Sequence, residues 1–167
     1  MPTLFGPRTR QPSSQIIDVA SWRRDEDYPI FPIGSKPKRL LRSPAEVVEP
    51  FLIPGHRYLY KVSQDWRRHQ TWSEVLAYEI GKSLSLPIPP AFVAIDSSDG
   101  SMGVLVEFFY GYPDDASPPH FLHGTDILQR IRRGQSFDPV ADRPHSVQMN
   151  MRVCATVRSE SSYTMVG

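Results

Sequence analysis

The sequence lacks most of the features that would announce a chemistry. Among its 167 residues there is one cysteine, Cys154, so no internal disulfide forms within the chain and it suits a reducing compartment. No apolar run approaches the roughly 18 to 20 residues that a bilayer span requires. Residues 1–15 carry Arg8 and Arg10 but no apolar stretch, so they do not read as a signal peptide, and a soluble cytoplasmic protein is the expectation. An excess of one charge is also missing. With 19 Lys+Arg against 18 Asp+Glu the net charge is +1, which points to neither a nucleic-acid nor a membrane partner. There is no Cys-x-x-Cys, no His-Glu-x-x-His, no Gly-x-Ser-x-Gly, no Walker A and no Gly-x-Gly-x-x-Gly. The five histidines are scattered; His120 and His123 share a segment without further ligands at suitable spacing, so no metal site is expected.

Proline is what the chain has in excess: 17 residues, roughly twice the usual share. Prolines cut the chain into short elements and argue against an all-helical fold. Hydrophobic residues at 40% and charged residues at 22% are ordinary for a globular domain, which excludes wholesale disorder and a coiled coil. The composition of residues 1–14, rich in Pro, Ser, Thr and Arg, extends to a loosely ordered arm over residues 1–27. Tyr28-Pro-Ile-Phe-Pro-Ile33 suggests an edge strand, Gly34-Ser-Lys-Pro-Lys38 a turn, and Arg39-Leu-Leu-Arg42 a return strand. After the Pro54-Gly55 turn, Tyr58-Leu-Tyr-Lys-Val62 is a compact strand.

The clearest helix is predicted over residues 72–84. Thr71 and Glu74 have the spacing of a capping box, Trp72, Leu76, Ile80 and Leu84 recur every four residues as one apolar stripe, and Pro87, Pro89 and Pro90 stop it. Residues 91–95 and 103–109 read as two strands of a hairpin around the turn Asp96-Ser-Ser-Asp-Gly-Ser101. Residues 28–110 thus form an α+β unit, a small antiparallel sheet packed by one main helix. Residues 111–167 follow as a connector, a short helix at about 125–133 and an irregular tail, either a frayed helix, disordered, or the frameshifted end of a longer reading frame.

Four features in this order carry what chemistry there is. Gly34 lets backbone amides approach a phosphate, and Lys36 and Lys38 add positive charge, although a solvated hairpin turn is the simpler account of the segment alone. Lys61 is the one charge near the end of an apolar strand, placed to pair nucleotide phosphates or merely to blunt a sheet edge. The helix supplies Glu74, already explained by the capping box, and Glu79 at the edge of the apolar stripe. Val104-Leu-Val-Glu-Phe-Phe109 ends a strand in a charge and two aromatics, suited either to seating a purine or to a core strand emerging into solvent.

Turn, lysine strand, glutamate helix, hairpin and hinge follow one another as in a kinase small lobe, and the chain resembles the ATP-binding lobe of HipA-like kinases. Ile33-Gly-Ser-Lys-Pro-Lys38 is similar to that family's phosphate loop, Tyr58-Leu-Tyr-Lys61 to its lysine strand, Ser73-Glu-Val-Leu-Ala-Tyr-Glu-Ile-Gly-Lys-Ser-Leu-Ser-Leu-Pro87 to its helix, and Val106-Glu-Phe-Phe109 to its hinge, with Phe108 where arginine is usual. The resemblance implies an ATP-dependent serine/threonine or phosphatidylinositol-type kinase. It implies that Gly34, Ser35, Lys36 and Lys38 hold phosphates, Lys61 orients them, Glu74 rather than Glu79 braces Lys61, and Glu107, Phe108 and Phe109 seat the adenine of ATP. The family's Asn-x-Asp-Arg-His catalytic loop and its magnesium-binding aspartate have no counterpart here; Asp142-Arg-Pro-His145 sits too soon after the hinge to serve. No residue is therefore assigned to catalysis or to metal. The expectation is a lobe inactive by itself, Mg2+ requiring a missing catalytic lobe, with nucleotide, that lobe or another protein as partner. The alternative is a non-catalytic interaction module derived from such a lobe.

Overall fold

In a computed structural model of the chain, the residues described are 9–25, 37–63 and 69–113. They fall within the first of two compact units, Met1–Pro118. The elements are β1 (Ile17–Asp18), β2 (Arg23–Arg24), β3 (Lys38–Arg42), β4 (Arg57–Val62), α1 (Gln70–Ser83), β5 (Ala91–Asp96) and β6 (Ser101–Glu107). The edge strand expected at 28–33, the turn residues Gly34, Ser35 and Lys36, and the helix expected at 125–133 lie outside the described residues.

The strands form one mixed sheet in the order β1-β5-β6-β4-β3-β2. Every neighbouring pair is antiparallel except β1 with β5. Among the described residues the architecture is α+β, one helix on a six-stranded sheet. β5 and β6 form the expected hairpin, closed by a turn in which the Gly100 amide donates to the Asp96 carbonyl at 2.8 Å. β6 ends at Glu107, so Phe108 and Phe109 lie beyond the strand expected to include them.

β1 and β2 form opposite margins of this sheet, yet only five residue steps separate Asp18 from Arg23. An extended chain covers about 17 Å in five steps, whereas five inter-strand gaps in a flat sheet span about 24 Å. The sheet is accordingly curled, and residues 19–22 cross its inner face. That face buries Ile17, Val19, Trp22, Leu41, Phe51, Tyr58, Tyr60, Phe92 and Leu105 in one cluster, with Trp22 edge-on to Tyr58 at 5.7 Å between ring centroids. The segment expected to be a loose arm thus supplies Ile17, Val19 and Trp22 to the core; two-residue strands are too short to show periodicity in the sequence.

The opposite face carries Leu40, Leu59, Ala91, Val104 and Val106, packed beneath Tyr78 of α1 together with Phe108. Alternation along β3, β4 and β6 sends successive side chains to the two clusters. Three expectations for α1 change. First, the capping box is not formed: the helix starts at Gln70 with His69 as N-cap, in a helical conformation and without a side-chain cap bond, so Thr71 lies inside the first turn. Second, the four-residue stripe faces outward, with Trp72, Leu76, Ile80 and Leu84 53%, 57%, 57% and 63% exposed. A strict interval of four drifts around a helix of 3.6 residues per turn; the face on the sheet follows Val75, Tyr78 and the buried Gly81 instead. Third, α1 ends before the prolines act. Ser85 adopts φ of 55°, its amide donates to the Lys82 carbonyl and the Leu86 amide to the Gly81 carbonyl, a Schellman closure with serine in the left-handed position usually held by glycine. Among the described residues no helix is long and apolar enough to cross a membrane.

Candidate functional site

The end of β4 and the first turns of α1 are joined twice. Lys61 Nζ donates to Glu74 Oε1 at 2.7 Å, and the hydroxyls of Ser63 and Thr71 hydrogen-bond to each other. The side chains of the ion pair are 29% and 33% exposed, so the pair stands at the rim of the packed layer and is open to solvent and solute. Thr71 and Glu74, whose spacing suggested a bond within the helix, reach across instead to Ser63, the residue after β4, and to Lys61 of β4.

Lys38 lies directly opposite Lys61 in the β3–β4 ladder, so the two Cβ atoms leave the same face of the sheet. Like charges at opposed positions repel, and Glu74 is the carboxylate on this face bonded to one of them. Lys38 also begins the strand that follows residues 26–37, the connection from β2; the chain between these antiparallel strands therefore returns to the sheet at the site. Asp25, the residue after β2, receives Arg57 Nε of β4 at 2.7 Å and anchors the start of that connection.

The hinge residues are held differently from what seating a purine requires. Glu107 is buried and accepts a bond from the Tyr112 hydroxyl at 2.8 Å, while its amide donates to the Pro90 carbonyl. The Phe108 amide donates to the Arg57 carbonyl, and the Phe108 carbonyl accepts from His56 Nε2 at 2.7 Å. His56 is itself buried and stacked on Tyr112, with ring centroids 4.4 Å apart and planes 8° apart. The Phe108 side chain belongs to the core under α1; Phe109 is partly exposed at 5.4 Å from its ring. The Glu107 amide and both main-chain groups of Phe108 are thus committed to internal bonds.

Of the nine residues singled out from sequence, Lys38, Lys61 and Glu74 converge on one edge, Glu107, Phe108 and Phe109 form the separate hinge, and Gly34, Ser35 and Lys36 lie outside the described residues. Glu79, the rejected alternative for the helix glutamate, lines a different cleft. Three contributors, Ser63, His56 and Tyr112, were not singled out. Ser63 stands two residues past Lys61, and a hydroxyl that close to the lysine was a usable signal. His56 and Tyr112 gave none, since their stacking joins chain segments 56 residues apart in sequence (112 − 56). Among the described residues no three His, Cys, Asp or Glu side chains group as a metal site. No family model, curated protein or solved structure matches the chain.

Proposed function

We propose that this chain is the nucleotide-binding small lobe of a HipA-like ATP-dependent kinase of the serine/threonine or phosphatidylinositol type. The observation that carries the reading is the 2.7 Å Lys61–Glu74 pair joining a sheet strand to the helix that follows it. Kinase folds use such a pair to hold a strand lysine toward the phosphates of ATP. The ladder order adds support, because the lysine strand β4 lies between the β2–β3 pair, whose connection contains Gly34, and the hinge strand β6. Lys61 orients the phosphates, Lys38 adds a second cation across the ladder, and Glu74 fixes Lys61 so that little side-chain entropy remains to be lost on binding. No residue of this chain is assigned the aspartate roles of base or metal ligand, so the lobe binds and positions, and transfer requires those groups from a partner lobe.

The committed main-chain groups of Glu107 and Phe108 favour a second reading, a kinase-derived interaction module that does not take nucleotide. Isothermal calorimetry with ATP separates the two. The kinase reading expects binding that falls about 10-fold or more in Lys61→Ala, the value of a charge-assisted hydrogen bond to phosphate. No heat with the parent protein overturns it in favour of the interaction module, and equal binding by parent and variant overturns the role given to Lys61.

A further inference from the structure

A second site lies along one flank of α1, between the helix and the sheet, and none of its lining residues belongs to the Lys61–Glu74 edge. It is a cleft of about 510 Å³, within the range of small-molecule sites. Trp72, Val75 and Glu79 form its helical wall; their spacing of three and four residues puts them on one face of α1. Val93 of β5 and Met102 of β6 supply the floor. The outer wall is the chain before β1, and it is pinned in place. The Gln11 carboxamide accepts from the Val93 amide at 2.8 Å and donates to the Val93 carbonyl at 2.9 Å, continuing with a side chain the pairing that β1 makes with β5. The same Gln11 nitrogen donates to the Gln15 carbonyl at 2.8 Å, which closes the intervening residues into a fixed turn.

Ile16, Trp72 and Met102 are each about half exposed, and all three converge on this cleft. Large apolar side chains scattered over a surface need no explanation, but three around one concavity mark a place where an apolar body is bound. Charge narrows the ligand. Arg10 at the outer wall and Glu79 on the helical wall have no hydrogen bond or ion pair among the described residues. A guanidinium presents a planar fork suited to a carboxylate, while the Glu79 carboxylate opposes further negative charge on the ligand. We infer that the cleft binds a small aromatic monocarboxylate, its ring against Trp72 and Met102 and its carboxylate on Arg10. It is a site of different chemistry from the lysine edge proposed to take phosphate, and it stands whether or not that edge takes nucleotide.

The test is a nuclear magnetic resonance titration of the full chain with three probes: 1-naphthylacetate, the neutral 2-(1-naphthyl)ethanol and 1-naphthyl phosphate. The Trp72 indole signal is assigned by its loss in Trp72→Phe, and the Met102 methyl by Met102→Leu. Expected are saturable shifts of both signals with the acetate, and binding ~3- to 5-fold tighter than the alcohol, the value of a solvent-exposed ion pair. Arg10→Gln should erase that preference without weakening the alcohol, and Trp72→Ala should weaken acetate and alcohol alike. Unmoved Trp72 and Met102 signals overturn the site. Equal affinity for acetate and alcohol, or a preference that survives Arg10→Gln, overturns the role of Arg10. Phosphate binding as tight as acetate overturns the selectivity assigned to Glu79.

Discussion

Replacing Gly103 by alanine should damage the fold more than any other single added methyl group at the glycines of the sheet and its hairpin. Gly103 sits in β6, opposite Val62 on one side and Ala94 on the other. A Cβ there would fall 2.5 Å from the Lys61 carbonyl oxygen and 2.9 Å from Cε2 of Tyr60. The carbonyl is main chain, and the Tyr60 ring is buried with its hydroxyl tied to the Ser101 carbonyl at 2.7 Å, so neither moves aside easily. Overpacking of a closed core costs about 1 to 3 kcal/mol, and a main-chain clash belongs at the upper end, about 3 kcal/mol. For a domain of this size that lowers Tm by about 10 °C. Gly100→Ala is the control. Its Cβ meets nothing within 4 Å, and its only cost is the left-handed φ of 72°, worth about 1 to 2 kcal/mol in an L-residue. Urea and thermal unfolding followed by circular dichroism would rank the two. A Gly103→Ala cost no larger than that of Gly100→Ala would refute the close approach of β6 to β4 on which the position of Lys61 depends.

Two further outcomes follow from other parts of the fold. Ser85→Gly removes an L-residue from the left-handed position that closes α1, and should raise stability by about 1 kcal/mol in the same unfolding assays; a loss would refute the closure described for the helix end. The carboxyls of Asp18, Asp96 and Asp99 are all held below their ordinary value, chiefly by hydrogen bonds from the side chains of Ser97, Ser98 and Ser101 respectively. A lowered native pKa adds stability above the unfolded carboxylate range, which is lost as pH falls through the native values. Stability should therefore hold down to about pH 4 and decline below it, and Ser98→Ala should move the acid midpoint upward; an unchanged midpoint would refute the Ser98 contribution.

What the sequence disclosed and what it hid divide along a physical line. The strands that alternate over five residues or more, β3 to β6, were legible within a residue or two of their ends, because burial on two faces imposes a period of two. Lys61 was picked out as the charge near the end of an apolar strand, whereas Glu74, which the spacing assigned to a capping box, was picked out only through the helix's resemblance to a kinase helix. What decides whether they meet is the placement of α1 over β5 and β6, a property of packing. The helix itself was legible while its orientation was not. The interval of four through Trp72 and Leu84 looked like a core stripe, yet Tyr78 and the absent side chain of Gly81 set the contact, since a Cβ at Gly81 would collide with Ile88. Hidden altogether were pairings made by single side chains across long separations, such as Gln11 with Val93, 82 residues apart. A lone glutamine leaves no period to detect.

The placement of β1 and β2 on opposite margins, joined by four residues, has a consequence for cooperativity. Each outer strand is two residues long and is too weak to persist alone, but the crossing segment is anchored between them by Val19 and Trp22. Fraying at one margin slackens the segment that holds the other, so both open together or neither does. Among the described residues, the protection of both margins is in this way a single equilibrium governed by how firmly one short span of chain is buried.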